Sequence, residues 1–164
     1  MRTIPDPGFA GDDGSVPPEV ADALAGYAAD RTRHAATLAV LQHARVLVPV
    51  VAVLGEVEVD EHGLAHDKTS DMATVLMKGK DGRTALLAFT GSEPLRRWDP
   101  EARPVPVTVA AAAQAARQDG AEALVLDVAG PVLFVVDGDD LVQLAEGATL
   151  VEVSGRHGWA RPAP

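Results

Sequence analysis

Apolar residues recur at helical spacing in the first third of the chain. Val20, Leu24 and Tyr27 follow one another at intervals of three or four residues, and Leu38 and Leu41 share one face of a second run. Residues at this spacing lie on one side of an α-helix. The pattern therefore predicts either two helices or one helix broken near residues 26–30, beginning at a Pro-Pro pair.

A continuous apolar run, RVLVPVVAV at residues 45–53, predicts a strand buried on both faces, because its β-branched residues favour extended backbone. Pro49 has no amide to donate, so this strand is expected to lie at a sheet edge there or to carry a bulge. Two further strand-like segments, 71–78 and 83–89, flank the sequence Gly-Lys-Asp-Gly. Since Asp-Gly suits a tight turn, these segments predict an antiparallel hairpin.

Strands and helices alternate in the second half of the chain. Thr90 or Ser92 can begin a short helix that ends at Asp99. A short strand at 105–107 contains Pro106 and follows Pro104, which predicts an edge strand or a strand whose amides face away from a neighbour. The Ala-rich segment that follows is a strong helix former and leads into another apolar run, which together predict a β-α-β unit with a parallel neighbour. The remaining predicted elements are a helix at 109–118, strands at 123–127 and 132–136, a helix through Leu141 and Leu144, and a strand at 150–153.

These elements predict one domain of the α/β (α+β) class. It would contain a mixed β-sheet, an N-terminal helical region, a β-hairpin and one β-α-β unit, with the helices packed on the sheet. Residues 1–18 are rich in Pro, Gly and Asp and are expected to form a flexible tail. Residues 154–164 are expected to form a second tail, although Trp159 could dock on the domain or on a partner. The domain would span residues 19–153, with a long polar loop at 55–70.

The chain is acidic and lacks cysteine. Its 164 residues carry a formal net charge of −10, which opposes attraction to nucleic acid or to anionic membranes. No segment has the apolar length of a membrane span, and the first residues have no signal-peptide pattern. The absence of Cys excludes disulfides and thiolate chemistry and suits a cytoplasmic protein.

No established catalytic or nucleotide-binding motif occurs in the sequence. There is no Gly-rich dinucleotide fingerprint, no phosphate loop and no Gly-x-Ser-x-Gly elbow. We therefore expect no cofactor, no catalytic residue and a non-enzymatic role. His62 and His66 stand among acidic residues and could hold a divalent metal, although Gly63 argues against the helix that would align them. A solvated loop is the favoured interpretation of this segment.

Positive groups concentrate beside one indole, at Arg96, Arg97, Trp98 and Arg103. Arginine offers a rigid fork of donors to a carboxylate or phosphate, and tryptophan offers a large contact area in protein interfaces. Together with Asp127 these residues form the predicted contact surface. The alternative is structural. Trp98 would cover the core, one arginine would pair with Asp99, Glu101 or Asp127, and the Asp127 carboxylate would cap its own turn.

Six short motifs follow one another in a fixed order along the chain. They are RVLVPVVA at 45–52, DMA at 71–73, ALLAFTGS at 85–92, Leu95 with Arg97 and Trp98, ARPVPV at 102–107 and LVLDVAGP at 124–131. Together these motifs resemble the SseB N-terminal-domain family, in a short form found in actinobacteria, and the similarity extends over roughly residues 38–147. The resemblance implies an α/β domain and a family name built on enhanced serine sensitivity, and it assigns no catalytic residue.

Two functions of different classes follow from these observations. The first is a protein-interaction or regulatory module that docks a partner protein at the arginines, Trp98 and the neighbouring strand edge. Self-association through exposed strand edges belongs to the same class. The second is a small-metabolite binding domain or enzyme, in which Arg97 or Arg103 would receive a carboxylate.

Overall fold

The structure is a computed structural model that describes residues 9, 11–54, 58–59, 65–66 and 70–162. Between residues 51 and 73 it describes only the backbone of the strands. The helices are α1 (Pro18–Ala29), α2 (His34–Leu41), α3 (Ser92–Trp98), α4 (Val109–Gln118) and α5 (Gly138–Ala145).

Two helices precede the first strand, as the apolar spacing predicts. Asp30 separates them, because its side chain accepts a hydrogen bond from the amide of Thr32 at 3.0 Å and begins a short 3-10 turn over Arg31–Arg33. Further along, the hydroxyl of Thr108 accepts from the amide of Ala111 at 3.0 Å and caps α4. Local side-chain hydrogen bonds of this kind fix where a helix begins.

The strands form mixed sheets. β6 and β8 pair in parallel, whereas β5 and β9 pair antiparallel on either side of them. The strands are β1 (Arg45–Leu54), β2 (Glu58–Val59), β3 (Ala65–His66), β4 (Ser70–Thr74), β5 (Leu76–Lys78), β6 (Thr84–Ala88), β7 (Arg103–Thr108), β8 (Ala123–Leu126), β9 (Phe134–Asp137), β10 (Thr149–Val153) and β11 (Arg156–Ala160). The predicted fold class, an α+β domain with a mixed sheet, is confirmed.

An isolated β-bridge joins the two larger sheets. β1 pairs with β4 and β7, and Leu47 of β1 exchanges two backbone hydrogen bonds of 2.7 and 2.8 Å with Phe89, just beyond β6. The chain through β4 and β5 pairs first with β1 and then with β6. The predicted hairpin is therefore present between β5 and β6 only, and the earlier half of its first segment pairs with β1 instead.

Three prolines occupy positions where no ladder amide is needed. Because Leu47 points its amide at Phe89, alternation along the strand turns position 49 the same way, away from β7. Pro49 lies between the bridge at Leu47 and the β4 pairing that begins at Val50. β1 is thus paired on both sides, and its proline falls in the gap. The backbone nitrogens of Pro104 and Pro106 point away from β1, so neither is needed as a donor in the ladder. β7 is the outer strand of its sheet, which fits the prolines in it.

The β-α-β unit consists of β7, α4 and β8, but its two strands are not neighbours. β8 pairs in parallel with β6, whereas β7 pairs antiparallel with β1. The expectation of a parallel neighbour within the unit is therefore wrong. The long apolar run of β1 needs pairing on both sides, so it lies between β7 and the strands that follow.

Side chains from alternate strand positions build a core on each face of the sheet. One face carries Leu86 and Leu124, which pack against α1, α2, α4 and α5. The opposite face carries Leu87 and Phe89, which pack against Leu95 and Trp98 of α3. Most helices therefore cover one face, and α3 covers the other.

The C-terminal segment predicted as a tail contains β11, which pairs with β10. Trp159 packs against the larger core, and its indole N–H donates to a carboxylate oxygen of Asp140 at 3.1 Å. Arg161 hydrogen bonds to Gln143 and forms an ion pair with Glu146. These contacts attach residues 156–161 to α5.

Candidate functional site

The carboxyl ends of the two parallel strands lie side by side. Ala88 of β6 is in register with Leu126 of β8, so Thr90 and Asp127 come next to each other just beyond the sheet. In open α/β sheets, ligands bind outside this end of the strands. A ligand-binding site is therefore expected at the carboxyl ends of β6 and β8.

Thr90 and Asp127 form a buried pair of hydrogen bonds. The amide of Thr90 donates to Oδ1 of Asp127 at 2.8 Å, and its hydroxyl donates to Oδ2 at 2.6 Å. Asp127 is 1% exposed and has a left-handed backbone with φ of 55°. The amide of Asp127 donates to the carbonyl of Ala88 at 3.0 Å. The carboxylate thus ties the two strand ends together instead of capping its own turn.

Burial raises the pKa of the Asp127 carboxyl above its usual value, because a charged carboxylate is poorly solvated there. The two hydrogen bonds from Thr90 oppose this effect, since they favour the charged form. The ionisation of the Asp127 carboxyl group is therefore set by the balance between its burial and its hydrogen bonds to Thr90.

A cavity of about 280 Å³ opens beside this pair, and we call it the strand-end cavity. α1 forms one wall, α3 forms another, and the turn after β8 closes a third side. Most of the lining is apolar. The lining residues are Val16, Ala21, Leu24, Ala25, Thr90, Glu93, Pro94, Arg97, Asp127, Pro131 and Val132.

Two charged side chains of α3 stand among the apolar lining residues. Arg97 pairs with Glu93 one helical turn earlier, with an N–O distance of 3.3 Å. Their side chains are 50% and 79% exposed, so this ion pair lies in solvent and contributes little to stability. With Asp127 ionised, the charged groups of the lining sum to −1.

Residues 11–17, which we call the N-terminal strap, run along one side of the cavity. The Arg45 side chain binds them to the domain. Its Nε lies 2.7 Å from Oδ2 of Asp12, and its Nη2 donates to the carbonyl of Ser15 at 2.9 Å. Its Nη1 donates to the carbonyl of Thr90, also at 2.9 Å. One guanidinium therefore links the strap to the residue that binds Asp127.

The strap also touches the start of α3. The amide of Ser92 donates to the carbonyl of Gly14 at 2.7 Å. A Cβ atom on Gly91 would lie 2.9 Å from that same oxygen and 2.7 Å from a methyl carbon of Val16. Glycine at position 91 is therefore what allows the strap to approach. This part of the predicted N-terminal tail is attached to the domain.

Two of the predicted site residues line the strand-end cavity, and three do not. Arg97 and Asp127 meet there. Trp98 packs on Phe89 on the other face of the sheet, with ring centroids 5.6 Å apart. Arg96 and Arg103 are exposed and are not among the lining residues. Trp98 thus covers part of the smaller core. Arg97 pairs with Glu93, which was not among the acidic partners expected from the sequence.

The candidate metal ligands are not located by the structure. His62 lies outside the described residues, and His66 is described only through the backbone of β3. Within the described ranges, no three His, Cys, Asp or Glu side chains are grouped so that they could hold a metal ion.

Sequence reasoning assigned no cavity role to Thr90, Leu24, Val16 or Val132, all of which line it. The position of Thr90 in the sequence could have indicated a place at the strand ends, because it is the first polar residue after a buried apolar run. Asp127 has the same position after the next parallel strand. The apolar lining residues carried none, since their pattern predicts only helix or core. Their role depends on how α1 is placed against the strand ends.

Comparison with known proteins gives one match. The family model described as SseB protein N-terminal domain matches residues 20–143 of this chain. No curated protein and no solved structure matches it. None of the helices in the described part of the chain combines the length and apolar character needed to cross a membrane.

Proposed function

This chain belongs to the SseB N-terminal-domain family, as its motifs predict, and from that premise we propose that it is a binding module for a small, largely apolar ligand. The proposed site is the strand-end cavity. The observation that carries the proposal is the position of this cavity, at the carboxyl ends of two parallel strands and beside a buried carboxyl group.

The size and lining of the cavity support a small ligand. Ligand pockets in proteins are concave, mostly apolar and supplied with a few polar groups that orient the ligand. About 280 Å³ is the lower end of the usual range of pocket volumes, so the ligand would be smaller than a nucleotide. Leu24, Val16 and Val132 would contact its body, and Asp127 or Arg97 would contact its polar end.

Binding is a better proposal than catalysis. The polar residues of the lining are Thr90, Glu93, Arg97 and Asp127, and both described hydrogen bonds of the Asp127 carboxylate go to Thr90. A nucleophile activated by a base needs a second group within hydrogen-bond reach, such as a histidine beside a serine. Thr90 and Asp127 form one hydroxyl–carboxylate pair in the lining, but no other polar lining residue hydrogen bonds to this pair to orient the base, so the geometry supports binding.

Filling the cavity from the surface tests this proposal. Ala25 is an exposed lining residue of α1, so Ala25→Phe would place a ring in the cavity without altering the buried core. Ala28 is exposed on the same helix and is not a lining residue, which makes Ala28→Phe the matched control. The probe is 1-butanol, followed by amide chemical shifts in NMR spectra.

We expect 1-butanol to shift the amides of Val16, Ala25, Asp127 and Val132 in the wild type and in Ala28→Phe. The shifts should disappear in Ala25→Phe. Shifts that are absent from the wild type, or that persist unchanged in Ala25→Phe, would contradict the proposal.

Docking of a partner protein at the arginines and Trp98 is the second candidate function. Arg96 and Arg103 are exposed on an acidic protein, and Val105 of β7 is 38% exposed. An acidic partner would complement the arginines. Asp127 is buried, so a partner could contact it only through the cavity. Loss of a co-purified partner in folded Arg103→Ala, with Arg117→Ala as the control, would support this function.

A further inference from the structure

We propose that the ligand of the strand-end cavity is an organic cation: a primary ammonium group on a short aliphatic body, with its N–H groups donating to Asp127. This inference rests on the proposed function, because it names the chemical class that the same cavity would receive.

The charge of the lining favours a cation. Arg97 already pairs with Glu93, which leaves the Asp127 carboxylate without an ion pair among the described residues. Placing an uncompensated carboxylate where it is 1% exposed costs free energy, and a cation in the cavity would recover part of that cost. The ligand would thus supply the missing positive charge.

Asp127 also has unused hydrogen-bonding capacity. Its two oxygens accept one hydrogen bond each from Thr90. An ionised carboxylate offers about four acceptor positions, so further N–H donors can be accommodated. A charge-assisted N–H bond to a carboxylate is about twice as strong as a neutral one. An ammonium group can therefore bind Asp127 without displacing Thr90.

The apolar lining limits what can accompany the charge. Ala21, Leu24 and Val132 offer no hydrogen-bond partner from their side chains, so a body with several hydroxyl groups would lose its hydration without compensation. An unbranched or singly branched alkyl chain has no hydrogen bonds to water to lose when it enters the cavity. The lining thus selects an aliphatic amine over a sugar.

A ligand carboxylate at Arg97 is the competing arrangement. It would have to separate Arg97 from Glu93 and would bring a further negative charge near Asp127 and Glu93. Like charges at short range disfavour ionisation of both groups. The net charge of −10 on the whole chain also repels an anion during its approach.

Three probes of equal chain length distinguish the possibilities: n-butylammonium, 1-butanol and butanoate, titrated at pH 7 and followed by amide shifts. We expect n-butylammonium to bind at least about tenfold more tightly than butanoate, a ratio that corresponds to about 1.4 kcal/mol. 1-Butanol should lie between them. Equal affinity for the three, or a preference for butanoate, would overturn the cation proposal while leaving the binding-module proposal intact. If none of the probes shifts the cavity amides, the binding-module proposal fails as well.

Asp127→Asn supplies the second measurement, because it keeps the shape of the side chain and removes its charge. The preference for n-butylammonium over butanoate should fall to less than about threefold in this variant, which corresponds to about 0.65 kcal/mol. Asp22→Asn removes an exposed charge from α1 and should leave the preference unchanged. An unchanged preference in folded Asp127→Asn would overturn the proposal. Should that variant fail to fold, the ranking of the three probes on the wild type still decides the matter.

Discussion

Two hydrogen bonds from a single threonine satisfy both oxygens of the buried Asp127 carboxylate. They hold the ends of β6 and β8 together at the point where the cavity begins. A buried carboxylate that loses a donor costs the free energy of its unmatched desolvation. Stability and the candidate site therefore depend on the same two residues.

Thr90→Val should lower the free energy of unfolding by about 1–3 kcal/mol, because it keeps the shape of the side chain and removes the donor to Oδ2 of Asp127. Thr90→Ser keeps the hydroxyl and should lose much less. Urea denaturation of the three proteins at pH 7 measures the difference. Equal losses in both variants would show that packing, and not the hydroxyl, carries the effect.

The raised pKa of Asp127 predicts a pH dependence of stability with a definite sign. The native state holds this proton more tightly than the unfolded chain, whose reference value is 3.8. Stability from this group is therefore complete below the unfolded pKa and is lost as pH rises through the folded pKa. Asp127→Asn has no such proton, so the stability of the wild type relative to the variant should fall as pH rises from about 3 to 7.

Denaturant titrations at several pH values measure this difference. Asp22→Asn, which removes an exposed carboxyl group from α1, is the control. A difference between wild type and Asp127→Asn that stays constant with pH would contradict the expectation.

The N-terminal strap and strand β7 each depend on the residue type at a few positions where another backbone comes close. The N-terminal strap contacts α3 at Gly91, where the backbone is extended, with φ of −169°, and any residue could adopt it. Space, and not backbone conformation, therefore requires glycine there. Along the outer edge of β7, whether another strand can pair depends on which residues have a backbone N–H to donate.

Gly91→Ala should push the strap away, because its Cβ would lie 2.9 Å from the carbonyl oxygen of Gly14. We expect the amide of Ser92, which donates to that oxygen, to exchange with solvent at least about tenfold faster, since its hydrogen bond would open more often. Hydrogen exchange followed by NMR measures this rate. Gly158→Ala, at a glycine with open space around it, is the control and should leave the rate unchanged.

Replacing Pro104 and Pro106 with valine should promote self-association. Both positions face away from β1, so the double variant would present two new amide donors along the outer edge of β7. An edge with free donors is a template for pairing with another chain. Sedimentation velocity at several concentrations should show a larger species than in the wild type. Pro100→Ala removes a proline outside the strand and should not have this effect.

Across the whole molecule, the two ends of the described chain pack on the same domain. The strap reaches the strand-end cavity, and β11 brings Trp159 onto the larger core. Sequence composition treats both segments as tails, because Pro, Gly and polar residues dominate them. Their attachment depends on contacts between residues far apart in sequence. Arg45 and the amide of Ser92 bind the strap, and Trp159 and Arg161 bind the segment that contains β11 to α5.

Truncation after residue 153 should lower the free energy of unfolding by about 2 kcal/mol, because it removes β11 and the partly buried ring of Trp159. Truncation after residue 161 keeps β11 and should have little effect. Thermal and urea denaturation of both truncated chains measure the difference. Equal stability of the two would contradict a structural role for β11.

The sequence predicted much of the fold from local pattern. Val20, Leu24, Leu38 and Leu41 gave the first two helices, because helical periodicity is a property of neighbouring residues. The parallel neighbour of β8 was not predictable in this way. Strand order depends on which apolar faces meet, and several orders satisfy the same run of residues.

The sequence by itself determined the family and most of the elements, with β11 as an exception, since these follow from residues close together in the chain or from motifs in order. Only the tertiary structure decided that Thr90 and Asp127, which are 37 residues apart, share one pair of hydrogen bonds. Arg97 reaches the same cavity from α3, whereas Trp98 beside it faces the other core. The physical reason is that parallel pairing of β6 with β8 sets which residues meet at the strand ends, and this pairing joins segments far apart in sequence.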